Sequence, residues 1–243
     1  MSWYAKTTGG YENYDIEAQG NATEIYYILT AKGYSLTAVC AVLGNMYKES
    51  GYNPFQWEND NIQPMVGYSS SVGYGLVQWT PPGEYLASSV AQSYLNYSPN
   101  FSDRPGTPAD GDAQTRFMDY QIYSETGNWF WNTSRLNYYQ AQFLADTGID
   151  IANVLPISKY DFKSGNPNHT WQDYCIAFSL EYLRPSYLYA GRDYFKAISE
   201  YAFWWDFFSG FPPVPPEPDD EEYSIYAYYL KKKKRGWIHG RPI

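Results

Sequence analysis

Apolar residues recur every three to four positions in one stretch of the chain, which is the spacing of one face of an α-helix. The residues on this face are Leu36, Val39, Cys40, Leu43, Met46 and Tyr47. Ser35 precedes them as a natural N-cap, and Gly51 is placed to end the helix. The residue before Pro54 is pushed out of the α region. The pattern therefore predicts a helix between Ser35 and Gly51.

Further patterns predict a mainly α protein. A first helix is predicted after Asn21, where Asn21 and Glu24 have a capping-box arrangement, and it is expected to end at Gly33. Later helices are predicted near residues 114–124, 139–147, 171–183 and 190–208. Residues 68–80 have the pattern of two short strands around a Ser/Gly turn. We therefore predict a helical α+β domain with one small β-hairpin and an extended C-terminal tail.

The composition changes after Gly210. Residues 211–222 form a Pro-rich linker with five acidic residues, and residues 223–243 form a basic tail that contains five consecutive bases. This leaves 11 basic and 21 acidic residues in the predicted domain, residues 1–210. The tail is interpreted as a docking segment that adds a strand or a basic segment to a partner protein. A solvated, disordered end is the alternative.

Glu49 falls in the last turn of the predicted helix, where its carboxyl group faces the negative end of the helix dipole. Partial burial acts in the same direction, and both effects keep a proton on the group. A carboxyl group that is protonated near neutral pH can serve as a general acid. The alternative is a solvated residue at the helix end beside Lys48.

The predicted hairpin carries side chains suited to a sugar. Gly75 permits close approach of a ligand, and Gln78 supplies an amide that can bind hydroxyl or acetamido groups. Trp57, Tyr74 and Trp79 offer flat rings against which the C–H groups of a sugar can pack. A core position is the alternative for each ring, because the chain is 20% aromatic and so many rings cannot line one cleft.

Two motifs carry a resemblance to known proteins. Glu-Ser-Gly-Tyr-Asn-Pro at residues 49–54 and Gly-Tyr-Gly-Leu-Val-Gln-Trp at residues 73–79 resemble the Glu-Ser-x-x-Asn-Pro and Gly-x-Gly-Leu-x-Gln patterns of goose-type lysozymes and lytic transglycosylases. Together with residues 178–185 and 192–205, they are similar to the lysozyme domain of bacteriophage tail-tip proteins, which cut peptidoglycan. The specific motifs cover about fifty residues and this C-terminal piece.

The resemblance implies a lysozyme-like fold and activity. It implies that Glu49 is the general acid for cleavage of the MurNAc-GlcNAc β-1,4 bond, and that Gln78 and Trp79 lie in the substrate cleft. Asn53, in the same motif as Glu49, is a further candidate for substrate binding. The expected location is the tip of a phage tail, with peptidoglycan and other tail proteins as partners and a role in genome delivery. A lytic transglycosylase and a catalytically silent tail protein that binds glycan or assembles the tip are the alternatives.

The second carboxylate of such a site is less defined by the sequence. Inverting glycosidases place a base about 6.5 to 9.5 Å from the acid, and retaining enzymes place a nucleophile at about 5 Å. Glu58 and Asp60 lie between the Glu49 helix and the hairpin, and Asp60 is preferred. A solvated loop carboxylate is the alternative. Lytic transglycosylases dispense with this group, because a hydroxyl group of the sugar itself attacks.

Several other classes of protein are disfavoured. No secretory signal opens the sequence, and no stretch has the apolar length of a membrane span. Cys40 and Cys175 are expected to be core thiols, which argues against a disulfide framework and against a Cys/His peptidase using His169 or His239. Two cysteines and two histidines also disfavour a zinc site, and no cofactor is expected. Specific binding of nucleic acid by the basic run is disfavoured because the rest of the chain is acidic.

Overall fold

The computed structural model describes residues 3–5, 9–56, 73–80, 83–95, 111–124, 128–129 and 131–211. These residues form a mainly helical structure, as predicted. Its helices are α1 (Ile16–Ala31), α2 (Leu36–Ser50), α3 (Gly83–Leu86), α4 (Ser89–Leu95), α5 (Gly111–Tyr123), α6 (Thr133–Thr147), α7 (Lys159–Ser164), α8 (Trp171–Ala177) and α9 (Tyr187–Phe208). A 3₁₀ turn (Ile151–Asn153) precedes α7, and a π-helical segment (Phe178–Leu183) follows α8. Among the described residues, no helix has the length and apolar character needed to cross a bilayer.

Helix α2 has the two ends that the sequence predicts. The Ser35 side chain accepts a hydrogen bond from the backbone N–H of Ala38 at 3.2 Å, so it caps the first turn. Gly51 adopts a left-handed conformation with φ 51° and its N–H donates to the carbonyl of Tyr47. Glu49 therefore lies in the last turn of α2, as expected.

Helix α1 differs from the prediction at its start. It begins at Ile16 after Asp15, so Asn21 and Glu24 lie inside the helix and are buried. The Asn21 amide donates to the carbonyls of Tyr4 and Tyr52, and its oxygen accepts from the Tyr4 N–H. Asn21 therefore joins α1 to distant backbone, a tertiary role that overrides its local preference for a cap.

The later helices are close to the predicted ranges, with three differences. Helix α6 begins at Thr133, six residues before the predicted start, because the Asn132 side chain caps it. The predicted helix at residues 171–183 has the expected bounds, but its second half is π-helical. The short helices α3, α4 and α7 were not predicted, since four to seven residues carry too little periodicity.

The predicted hairpin is reduced to a turn in the part that the structure describes. Within residues 73–80, one isolated antiparallel bridge joins Tyr74 to Trp79, with N···O distances of 3.2 and 3.0 Å. No strand extends from this bridge within those eight residues. The other part of the prediction, residues 68–72, lies outside the described residues.

The buried centre of the described structure is the contact of α2 with α9. Gly44 of α2 allows this approach, since a Cβ atom there would overlap the backbone oxygen of Ala197 in α9. Cys40 on α2 and Cys175 on α8 are buried in the same core as free thiols, as predicted. Phe211 packs edge-on against the Tyr26 ring, with centroids 5.6 Å apart. The remainder of the linker and the basic tail, residues 212–243, lie outside the described residues.

Candidate active site

Glu49 projects from the last turn of α2 and keeps 15% of its side chain exposed. Lys48 Nζ lies 3.2 Å from Glu49 Oε1 and 2.9 Å from Asp193 Oδ2 on α9. The ammonium group thus bridges a half-buried carboxyl group and a buried one. This arrangement fixes the charge environment of Glu49.

The electrostatics of this trio can be followed from Lys48. Burial by itself would lower the pKa of Lys48, but the attraction of Glu49 and Asp193 outweighs it and raises that pKa. The same attraction favours the ionised form of Glu49, in opposition to the helix dipole and to burial. Lys48 is therefore part of the charge environment of Glu49, an effect that the prediction from the helix end did not include.

Glu49 lies on a cleft of about 760 Å³. One wall comes from residues 73–80 and the other from the π-helical segment and the start of α9. The lining is rich in amide and charged side chains, and its residues include Lys48, Glu49, Gln56, Gln78, Trp79, Glu84, Gln121, Asn128, Tyr182, Arg184 and Tyr189. Such a polar groove with a carboxyl group at its side suits a substrate rich in hydroxyl and amide groups.

The wall formed by residues 73–80 is fastened to α2 close to Glu49. The Ser50 hydroxyl donates to the carbonyl of Leu76 at 2.9 Å, and the Leu76 N–H donates to Gln114 Oε1 at 2.8 Å. Gln114 in turn donates to the carbonyl of Pro54 at 2.7 Å. These buried hydrogen bonds hold the turn beside the end of α2 and so fix the position of the turn relative to Glu49.

Gln78 is on this cleft, as predicted, in a left-handed conformation with φ 51°. Its amide nitrogen donates to the carbonyls of Gly75 and Gln56 at 2.8 and 3.1 Å. Part of its hydrogen-bonding capacity is therefore used to hold the turn and the segment after α2 together.

The predicted aromatic residues are more buried than a sugar platform requires. Trp79 lines the cleft but is only 4% exposed, with its ring stacked on Tyr85 and its N–H donating to Gln121 at 2.7 Å. Tyr74 is buried against Tyr85 and Phe55 and is not among the residues that line the cleft. In this structure the two rings pack in the core behind the turn.

Asn53 is fully buried and does not line the cleft. Its amide donates to the carbonyl of Gly9 at 2.9 Å, and its oxygen accepts from the Phe55 N–H at 3.1 Å. Asn53 thus organises the turn after α2. Of the predicted site residues, the structure brings Glu49, Gln78 and Trp79 together on one cleft. Trp57 and Asp60 lie outside the described residues.

Several lining residues were missed by sequence reasoning. Glu84 is an exposed carboxyl group in the first turn of α3, and Arg184 follows the π-helical segment in a left-handed conformation with φ 59°. The Arg184 N–H donates to the Ser179 carbonyl at 2.7 Å, which closes the segment. A non-glycine residue in this conformation costs energy and is often found at functional sites. The Arg-Pro step after an apolar helix was visible in the sequence, but its place on the cleft was not.

Glu181 is a buried carboxyl group directly behind this wall. Burial raises its pKa to about 7, although the Ile157 N–H, at 2.9 Å, and the nearby Arg135 favour the charged form. It is not among the residues that line the cleft. Glu181 therefore titrates near neutral pH as a structural group of the cleft wall.

The chain is similar to known phage proteins. A family model described as phage tail lysozyme matches residues 20–190. Morphogenesis protein 1 of Bacillus phage B103 is 37% identical over 103 residues, which are 42% of this chain and 23% of that protein. The chain thus matches about a quarter of the length of this curated relative. The family match covers most of α1, the Glu49 helix, residues 73–80 and the cleft wall up to the start of α9.

Proposed function

This chain belongs to the family of phage tail lysozymes, and from that premise we propose that it is a muramidase that cuts the MurNAc-GlcNAc β-1,4 bond of peptidoglycan. The observation that carries the proposal is the position of Glu49. It lies at a helix end, 15% exposed, on a cleft lined by four amide side chains. A carboxyl group in this position can reach a glycosidic oxygen of a strand that fills the cleft.

In the proposed mechanism, Glu49 donates its proton to the leaving glycosidic oxygen as the bond to the anomeric carbon breaks. Positive charge then develops on the sugar ring. The resulting Glu49 carboxylate is stabilised by Lys48 at 3.2 Å, so the ion pair favours the state reached after proton transfer. Gln56, Gln121 and Asn128 offer amide groups for hydroxyl and acetamido groups of the strand.

A second carboxylate would activate water. We retain Asp60 as the proposed base from the sequence, and Glu84 is a further carboxyl group on the cleft. The matched variants are Glu49→Gln, Asp60→Asn and Glu84→Gln, each of which keeps the shape and removes the ionisable group. Release of soluble fragments from purified peptidoglycan should fall about 10² to 10⁴-fold in Glu49→Gln. Loss of activity in Asp60→Asn but not in Glu84→Gln would support the assignment, and the reverse would move the base to Glu84.

The proposed setting is the virion, at the tail tip, where wall cleavage would assist genome delivery. Residues 1–210 carry more acids than bases, so the domain gains little from attraction to an anionic wall. Attachment to a particle would supply a high local concentration instead. The basic tail, residues 223–243, is the proposed attachment to another tail protein.

Deletion of residues 212–243 tests this attachment and keeps Phe211, which packs against the aromatic cluster of Tyr26 and Phe208. The shortened protein should retain activity on purified peptidoglycan and should be missing from assembled particles. A control that replaces only the bases from Lys231 to Lys234 and Arg235 separates charge pairing from strand addition. Normal incorporation of the shortened protein would reject the docking role.

A further inference from the structure

A second cleft of about 550 Å³ lies away from the Glu49 cleft, and the described residues that line the two clefts are all different. Thr37, in the first turn of α2, lines the second cleft, whereas Glu49 is in the last turn. The two residues are twelve steps apart along the helix, which corresponds to about 18 Å along the axis. The two clefts are therefore at opposite ends of α2.

The floor of the second cleft is a stack of three aromatic rings. Trp171 and Tyr201 are stacked with centroids 4.6 Å apart and an interplanar angle of 19°. Tyr201 and Trp205 continue the stack at 5.9 Å and 14°. Tyr201 is buried between its neighbours, while Trp205 is 38% exposed. The parallel planes fix the ring orientations and leave part of an indole open to solvent.

Polar groups surround this stack. His169 and the exposed Asp206 are on its rim and supply a ring nitrogen and a carboxylate. The loop that carries His169 is held by Asn166, whose amide donates to Asp161 at 2.8 Å and whose carbonyl accepts from the Tyr174 hydroxyl at 3.0 Å. The site is thus a prearranged concave surface with hydrogen-bonding groups beside flat rings.

The lining also limits the ligand's charge. Among the residues that the structure describes, the lining includes the acidic Asp206 and no lysine or arginine. An anionic ligand such as a nucleic acid or a phosphate would therefore meet Asp206 and none of the described lysine and arginine side chains. A neutral ligand that combines C–H faces with hydroxyl groups satisfies both the rings and the rim, and this is the chemistry of a saccharide.

We propose that this second cleft is a saccharide-binding site, separate from the catalytic cleft, that takes a short chain of N-acetylhexosamines. The identity of the sugar rests on the proposed function, since the enzyme's substrate would be the glycan available. A sugar ring packs on the open face of Trp205, and its hydroxyl groups bond to His169 and Asp206. Binding at this site holds the protein on the wall independently of the occupancy of the Glu49 cleft.

The test is a titration of the full chain carrying Glu49→Gln with the N-acetylglucosamine tetramer, followed through the indole N–H resonances of isotopically labelled protein. Trp171→Phe and Trp205→Phe assign the signals of the second cleft, and the Trp79 signal reports on the Glu49 cleft. We expect the Trp171 and Trp205 signals to shift together and to give one dissociation constant. The Trp79 signal should give a different dissociation constant, that of the Glu49 cleft. Shifts of Trp79 alone, or of none, would overturn the second site.

Variants of the second cleft distinguish a failure of the proposed second site from a failure of the proposed function. Trp205→Ala should weaken the binding reported by Trp171 about tenfold, from the loss of the stacking surface, and leave the Trp79 response unchanged. Phe195→Ala is the matched control, since it removes another exposed aromatic ring, 49% exposed, from the same helix outside both clefts. A response at Trp171 with none at Trp79 would support the second site and count against the catalytic cleft. Equal affinity at Trp171 in Glu49→Gln and in the double variant Glu49→Gln/Trp205→Ala would reject the proposed contact.

Discussion

The ion pair between Lys48 and Glu49 should set the pH at which the proposed acid loses its proton. We predict that Lys48→Met moves the alkaline limb of kcat/KM to higher pH. The ammonium group favours ionised Glu49, so its removal makes the proton harder to lose, and a general acid is active only while protonated. The variant also leaves the buried Asp193 carboxylate near Glu49, and this repulsion acts in the same direction.

The distance gives the size of the effect. Two unit charges at the 3.2 Å separation of Lys48 Nζ and Glu49 Oε1 interact by about 1.3 kcal/mol in water and by about four times more at an effective dielectric constant of 20. We take the lower value, because measured energies of ion pairs that keep some contact with solvent, as this one does, are at most about 1 kcal/mol. That energy corresponds to a displacement of the limb by about one pH unit.

Asp193→Asn is the matched variant, and it should displace the alkaline limb in the opposite direction. It removes a charge that partly neutralises Lys48 and repels Glu49, so the alkaline limb should move to lower pH. The double variant Lys48→Met/Asp193→Asn should lie between wild type and Lys48→Met. It also controls for folding, since Lys48→Met alone leaves a buried carboxylate with only Arg192, at 3.8 Å, as its partner among the ion pairs of the described residues.

The assay is the initial rate of release of labelled fragments from purified peptidoglycan across the alkaline limb, with thermal melting of each variant as the check on folding. The midpoint pH of the alkaline limb should increase in the order Asp193→Asn, wild type, the double variant and Lys48→Met. If the alkaline limb moved in the same direction in both single variants, or in neither, the role of this ion pair in controlling the Glu49 proton would be refuted.

Three further predictions concern stability and reactivity. Burial raises the pKa of Glu181 to about 7 from the ordinary value of 4.5, so the contribution of this group to stability should be greatest below about pH 4.5, fall by about 3 kcal/mol as pH rises to about 7, and change no further above that pH. Glu181→Gln should abolish that fall in chemical denaturation, and an unchanged slope would contradict the assignment. Gly44→Ala should lower the unfolding free energy by about 1 to 3 kcal/mol, because the new methyl group overlaps backbone of α9; Gly20→Ala, inside α1, meets only a movable aromatic ring and should cost less in the same thermal melts. Burial raises the pKa of the Cys40 and Cys175 thiols, so a thiol reagent should leave the native protein unmodified and active, and rapid modification would argue against their burial.

The parts of the fold that the sequence predicts are those set by local interactions. Helix α2 has a regular apolar face, a serine cap and a terminal glycine, and all three act within a few residues of one another. The start of α1 could not be found in this way, because Asn21 bonds to backbone far along the chain. The π-helical segment has no local signature either, and its geometry becomes clear only from the bond between Arg184 and Ser179.

In the candidate site, too, features set by local sequence could be predicted and features set by tertiary contacts could not. The place of Glu49 in the last turn of a helix was predictable because the cap and the terminal glycine are local, whereas the roles of Glu49 and Gln78 stay predictions. Glu84 and Arg184 come from separate elements that meet at the cleft only in the folded chain. The influence of Asp193 on Lys48 likewise depends on the packing of α9 against α2. Sequence spacing carries no information about such contacts.

We propose that Glu49 protonates a glycosidic bond, which water then cleaves. The most direct measurement is mass spectrometry of the fragments released from purified peptidoglycan in water enriched in heavy oxygen, for the unmodified chain and for Glu49→Gln. We predict fragments with new reducing muramic acid ends that carry one heavy oxygen atom, and no such fragments from Glu49→Gln. Anhydro ends without heavy oxygen would assign a lytic transglycosylase instead, and equal release by both proteins would contradict the role of Glu49.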